Sequence, residues 1–323
     1  MMPRAGLVVT LVALAAAACK QSPDRAPPPP PAPAPAADPW AGSARPAAPL
    51  PQPFLWTAEK DGATTYLFGT MHLGVDPEAQ LPPLVWDRLY AAPAFAVETD
   101  VTDRAIARMG GRARGTLHDE LGPEYWKKLE LALTPEVARS LDQKSAMIPA
   151  TLIALRGLPL TQPMDSVLLA RARTRGKQIA FLEPAARQAA LLEKHLNARA
   201  LRLMLDELDH VEQQSRQLLA AYLAGDEAQF AAILDEQRRD ALAHGYTAAE
   251  YDASLEDLLY GRNASWIAPI EQLHAGGGAF IAVGAMHLLG ARSVLELLRQ
   301  HGFRVARVAI EPAVQPDRAP ARH

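Results

Sequence analysis

The chain has 323 residues, 49% of them apolar, with 33 Lys plus Arg against 36 Asp plus Glu and a formal net charge of −3. That is enough apolar material for a sizeable core, and the charges form no basic stripe of the kind a phosphate backbone demands, so nucleic acid is excluded as an expected partner. Cys19 is the single cysteine, which excludes a disulfide within the chain.

Residues 1–18 combine one early cation, Arg4, an apolar run from Ala5 to Ala18 too short to span a bilayer, and small residues ahead of Cys19. This is the pattern of an export signal. It resembles a bacterial lipoprotein signal. The resemblance implies lipidation of Cys19 and attachment to the membrane through that lipid. With Lys20 rather than Asp after the cysteine, it implies the outer membrane, facing the periplasm. Ala16-Ala17-Ala18 equally suits ordinary cleavage, which would leave a soluble periplasmic protein. Residues 19–53 are Pro- and Ala-rich with almost nothing to bury, so a disordered tether is expected, reaching ~3.1 Å per residue where polyproline II forms. Residues 314–323 are expected to be a disordered tail.

Residues 54–313 are expected to form one domain of the α/β (α+β) class, because short β-prone runs alternate with longer helical stretches. Two runs flank Asp61-Gly62, a hairpin turn in which both residues tolerate positive φ. Further runs are AFAVE (Ala94 to Glu98), QIAFLE (Gln178 to Glu183), AFIAVG (Ala279 to Gly284) and FRVARVAIE (Phe303 to Glu311). A large helical middle spans about residues 120–265. It includes Gly122 to Leu133, Ser166 to Gly176 with Asp165 as a candidate cap, and a long amphipathic stretch from Asn197 to about Gly225.

One phrase is written twice. FGTMHLG contains Gly69 and His72, and VGAMHLLG contains Gly284 and His287. In sheets with helical crossovers, ligands gather beyond the carboxyl ends of the strands. Four apolar runs end there in a reactive residue: His72, Glu98, Glu183 and His287. Two imidazoles and two carboxylates at one edge would make a mixed nitrogen and oxygen site for a divalent metal. Gly69 and Gly284 would let the strands turn sharply and swing the histidines inward.

The ordered set FGTMHLG, FAVETD, LEPAARQ, GRNASWI and VGAMHLLG resembles the TraB/GumN family, related to the Tiki metalloproteases. The resemblance covers Phe54 to about Glu311. It implies a central mixed sheet carrying both GxxH motifs and peptidase activity dependent on Mn²⁺ or Co²⁺, with Zn²⁺ a further option. It matches His72, Glu98 and His287 to the metal positions, and Glu183, Gln188, Arg262 and Asn263 to the remaining motif positions. LEPAARQ lacks the second Glu that relatives often carry.

On this basis a metal-bound water would be the nucleophile, with Glu183 as general base or fourth ligand. Arg262 and Asn263 would either stabilise an oxyanion or merely cap a neighbouring helix. The chain has no HExxH, no phosphate loop and no GxSxG. His195, His210 and His244 fall in the helical middle, where packing or solvent-facing roles are expected. The expected function is an envelope-anchored, divalent-metal-dependent hydrolase acting on a peptide or protein. The alternatives are a non-catalytic lipoprotein binding metal, haem or peptide on the same scaffold, and an interaction protein. The Leu- and Ala-rich middle could carry a homodimer contact.

Overall fold

The computed structural model describes residues 48–100, 110–112 and 114–310. The expected signal, Cys19, most of the tether and the tail lie outside the described residues. Inside them the packed chain begins before Phe54. Leu50 is buried in the core and its N–H donates to the Gln80 carbonyl at 2.8 Å, so the last residues assigned to the tether belong to the folded part.

Every expected β run forms a strand. β1 (Leu55–Lys60) and β2 (Ala63–Thr70) pair antiparallel through a turn at Asp61 and Gly62, whose φ values are 50° and 80°. β3 (Ala94–Val97), β4 (Gln178–Phe181), β5 (Ala279–Gly284) and β6 (Arg304–Arg307) complete a six-stranded mixed sheet of order β4-β3-β5-β2-β1-β6. β4, β3, β5 and β2 are mutually parallel, and β1 runs antiparallel to both of its neighbours, β2 and β6. β3 and β5 are buried along their whole length, as parallel strands covered on both faces must be, which is why they read as unbroken apolar runs rather than alternating ones.

Helices cover the sheet. Two short ones, α1 (Pro77–Gln80) and α2 (Pro83–Ala91), lead from β2 to β3. The middle then runs through α3 (Leu117–Leu121), α4 (Pro123–Leu133), α5 (Pro135–Ser140), α6 (Met147–Ala154) and α7 (Met164–Thr174) to β4. It continues as α8 (Ala185–His195), α9 (Ala198–Asp206), α10 (Leu208–Ala224), α11 (Glu227–Ala243) and α12 (Ala248–Leu255). A π-helical turn, Glu256–Tyr260, runs into α13 (Gly261–Ala275), and α14 (Val294–Gln300) precedes β6.

The long stretch expected from Asn197 is two helices, because Glu207 leaves helical geometry (φ −120°) while Asn197 caps α9 through the N–H groups of Arg199 and Ala200. The described residues form two apolar clusters. One surrounds the sheet and takes in α2, α7, α13 and α14; the other fills the space among α3 to α6, α9 and α12. α10 contributes to both, through Leu218 and Tyr222 on the sheet side and Val211 on the other, and α11 does so through Phe230 and Ala241, so these two helices key the helical middle onto the sheet.

Candidate functional site

Parallel pairing decides where the two GxxH phrases meet. β2 and β5 are neighbours, with Gly69 opposite Val283 and Thr70 opposite Gly284, so His72 and His287 leave the same edge of the sheet from adjacent strands. β3 and β4 run the same way, delivering Glu98 and Glu183 to that edge. All four are buried.

The glycines work differently from the expectation. A Cβ on Gly69 would lie 3.0 Å from both Ala285 Cα and Phe54 Cβ, so the residue permits close packing of the two strand ends. Gly284 has ordinary φ (−51°) and uses its N–H to bind Glu98 Oε1 at 2.8 Å.

Two hydrogen-bonded constellations share this edge. In the first, His72 Nδ1 lies 2.5 Å from Asp165 Oδ2, and the Thr70 hydroxyl donates to Asp165 Oδ1 at 2.8 Å. The carboxylate therefore holds the imidazole in its Nδ1–H tautomer, while the Met164 N–H anchors the His72 carbonyl at 3.2 Å. His72 Nε2 is buried and has no hydrogen-bond partner. Burial alone would weaken the base, but the charge and hydrogen bond of Asp165 outweigh it and raise the His72 pKa. Asp165 is thus a site residue, not the helix cap expected from sequence: it sits inside the first turn of α7, which starts without a side-chain cap.

In the second, the Arg262 guanidinium is the hub. Nε and Nη2 reach Glu183 Oε1 at 2.8 and 2.5 Å, Nη2 also reaches Glu98 Oε2 at 2.6 Å, and Nη1 donates to the Leu258 carbonyl and to His287 Nε2 at 3.1 and 3.2 Å. Each of its three nitrogens thus has a protein acceptor. Leu258 belongs to the π-helical turn, a local distortion often found at functional sites. Gln188 Nε2 adds a bond to Glu98 Oε2 at 2.9 Å. Asn263 Oδ1 accepts from His287 Nδ1 at 2.6 Å, and its amide nitrogen donates to the Arg292 carbonyl at 2.9 Å. The Trp266 ring backs His287 with centroids 4.4 Å apart.

The two carboxylates on this one cation titrate in opposite directions. Burial pushes both up. At Glu98 the charges of Arg262 and the histidines prevail and bring the pKa down to about 2, whereas at Glu183 burial prevails and the pKa is raised. Burial and Arg262 press His287 down to about 3, so it is neutral and accepts from Arg262.

These bonds bear directly on the expected metal. Both Glu98 oxygens and both His287 nitrogens already have protein partners, and a guanidinium carries the positive charge between the carboxylates. Among the described residues, the trio of His and carboxylate donors close enough to grip one ion is His210, Glu236 and Asp240, not His72, Glu98 and His287. Glu98 and His287 are therefore not free to hold a Mn²⁺, Co²⁺ or Zn²⁺ ion in this arrangement, while His72 Nε2 and Glu183 Oε2 are buried without a partner. Arg262 is engaged by Glu98, Glu183, Leu258 and His287, which works against the oxyanion role expected of it, and the surface-capping alternative fails because Arg262 and Asn263 are both buried. Asn263 and Gln188 orient His287 and Glu98.

The edge opens beside His72 into a small, mostly apolar pocket lined by Met71, Leu73, Leu155, Leu158, Ser215 and Leu218. Besides Asp165, sequence reasoning missed Thr70 and Tyr222, whose hydroxyl donates to the Gly69 carbonyl at 2.8 Å. None carries a local signal, since each acts on a partner far along the chain.

Residues 54–307 match the TraB/PrgY/gumN family. The chain belongs to that family. It is 26% identical over 246 residues, 73% of this chain and 88% of the relative, to "Uncharacterized protein YbaP" of Shigella flexneri. It is 26% identical over 245 residues, 72% of this chain and 87% of the relative, to the protein of the same name from Escherichia coli strain K12. No solved structure matches it. This TraB/PrgY/gumN chain places both GxxH motifs on neighbouring parallel strands, with the His72–Asp165 pair and the Arg262 hub side by side.

Proposed function

We propose that this TraB/PrgY/gumN protein is a hydrolase, acting on peptide bonds, whose general base is His72. The observation that carries the reading is the buried, unpartnered Nε2 of an imidazole fixed by Asp165 at the rim of a pocket. An Asp-held imidazole with one free lone pair is the arrangement that takes a proton from a nucleophile and returns it to a leaving group.

In the proposed step His72 Nε2 takes a proton from water as the water oxygen bonds to the substrate carbonyl carbon. Asp165 stabilises the imidazolium so formed. As the carbon–nitrogen bond breaks, the proton passes from Nε2 to the leaving amine. Glu98, Glu183, Arg262 and His287 form a rigid charged frame beside this base, and no step runs through a metal ion. The pocket beside His72, about 20 Å³ in volume and mostly apolar, has room for the attacking water rather than for a large side chain.

The expected setting is the cell envelope. Cleavage before Cys19 and its lipidation would tether the domain to the outer membrane on the Pro-rich stalk, and Cys19→Ser would move the protein from the membrane to the soluble fraction.

The test of function is a peptide-library digest read by mass spectrometry, comparing wild type with His72→Asn, each with and without EDTA. Cleavage by wild type that persists in EDTA and disappears in the variant is the expected result. Equal cleavage by both proteins overturns the assignment of the base, and cleavage abolished by EDTA alone restores a metal-dependent mechanism. Peptide binding without cleavage leads to the non-catalytic reading.

A further inference from the structure

Away from the sheet edge, α10 and α11 each carry two ligand-bearing side chains one helical turn apart: His210 and Gln214 on one, Glu236 and Asp240 on the other. Residues four apart share a helix face, so the two pairs confront each other. His210, Glu236 and Asp240 each offer a ligand atom within 4.8 Å of the others, a spacing compatible with ligands at ~2.0–2.2 Å around one ion. His210 Nε2 lies 3.1 Å from Asp240 Oδ2, and Gln214 Nε2 donates to that same oxygen at 3.2 Å.

An independent observation comes from Gln214. The residue is fully buried, yet its Oε1 has no hydrogen-bond donor. That oxygen is bonded to the same carbon as the Nε2 that binds Asp240, so it is fixed beside the trio. A sealed acceptor without a donor is costly, and a cation satisfies it. Access is also provided. A recess of about 370 Å³ lined by Asp206, Glu207, Asp209, His210 and Gln213 reaches the imidazole, and with Asp206 already paired to Lys128 its Glu207 and Asp209 carboxylates favour a positive ion.

We propose that α10 and α11 bind one divalent transition-metal ion through His210, Glu236, Asp240 and the Gln214 amide oxygen. One imidazole nitrogen among oxygen donors suits Zn²⁺ or Mn²⁺ better than the all-oxygen Ca²⁺. The ion takes the place of the His210–Asp240 hydrogen bond and cross-links the two helices, as metal sites between facing helices of bundles do. Its role is structural.

The test is calorimetric titration of the chelator-stripped full-length protein with Zn²⁺ and with Mn²⁺, with bound metal counted by atomic emission. Wild type is expected to take up one ion per chain and to gain several degrees in Tm, since an ion that binds only the folded state stabilises it. Asp240→Asn and Glu236→Gln, near-isosteric changes, are expected to weaken binding at least tenfold while leaving the metal-free Tm within about two degrees of wild type. His72→Asn and His287→Gln are expected to bind as wild type does, which separates this site from the sheet edge whatever the fate of the hydrolase reading. No uptake by wild type, wild-type affinity in both helix variants, or loss of binding in the sheet-edge variants instead would each overturn the proposal.

Discussion

His72 and Asp165 stand 93 positions apart in the chain and 2.5 Å apart in space. The strand that ends at Thr70 and the first turn of α7 bring them together, and Thr70 secures the second oxygen of the same carboxylate.

The first prediction follows from that pair. His72→Asn keeps an N–H donor for Asp165 but removes the free Nε2, so kcat for peptide hydrolysis is expected to fall about 10²- to 10⁴-fold with little change in Tm. Because Asp165 raises the pKa of His72 above its ordinary value of 6.5, kcat/KM should climb with pH through an apparent pKa above 6.5. A pH–rate profile whose acid limb lies below that value counts against His72 as the base.

Arg262 joins two buried carboxylates and is itself 1% exposed. Arg262→Met leaves both acids without their cation, which is expected to cost about 3–5 kcal/mol in urea denaturation. Adding Glu98→Gln and Glu183→Gln to the same chain removes the unpaired charges and should recover part of the loss. If the single variant unfolds at the wild-type midpoint, the hub contributes nothing to stability.

His287 gives the pH dependence of stability. Its pKa falls from 6.5 unfolded to about 3 folded, so between those values the unfolded chain binds a proton that the folded chain refuses. Stability therefore drops as pH is lowered from 6.5 toward 3, by an amount on the order of a few kcal/mol. Glu183, with a raised folded pKa, opposes this above pH 4.5, where its charged form is disfavoured in the folded state. Below that pH the depressed Glu98 adds to the loss, its contribution being complete above 4.5 and gone near 2. Urea midpoints at pH 7, 6 and 5 should fall more steeply for wild type than for His287→Gln. Parallel slopes would remove His287 from the account.

Gly69 is a packing test. An added Cβ meets Ala285 Cα and Phe54 Cβ at 3.0 Å, and neither backbone nor a β-carbon can swing aside, so Gly69→Ala is expected to destabilise by about 1–3 kcal/mol. Gly62→Ala, where a Cβ meets nothing within 4 Å but φ is 80°, loses stability through backbone strain alone. Thermal denaturation of the pair separates crowding from strain.

The strands, the Asp61-Gly62 hairpin and the convergence of His72, Glu98, Glu183 and His287 on one edge were legible because apolar runs, turn residues and the parallel-sheet rule are local or topological signals. The break at Glu207 and the roles of Asp165 and Thr70 were not. Asp165 reads as an ordinary acid at a helix start, and nothing near it in the chain indicates that its partner is an imidazole on β2's end. The metal expectation rested on residue types, and types do not reveal that Arg262 engages Glu98 Oε2, Glu183 Oε1 and His287 Nε2.

The sequence by itself determined which strands form, which ends carry reactive side chains and that a repeated GxxH phrase marks two of them, since secondary structure follows periodicity and turn chemistry. Tertiary structure alone decided what those side chains do. A lone pair is free or engaged according to the atom that lies within hydrogen-bond distance of it, and in this fold that atom comes from helices many positions away: Asp165 for His72, Arg262 for Glu98, Glu183 and His287.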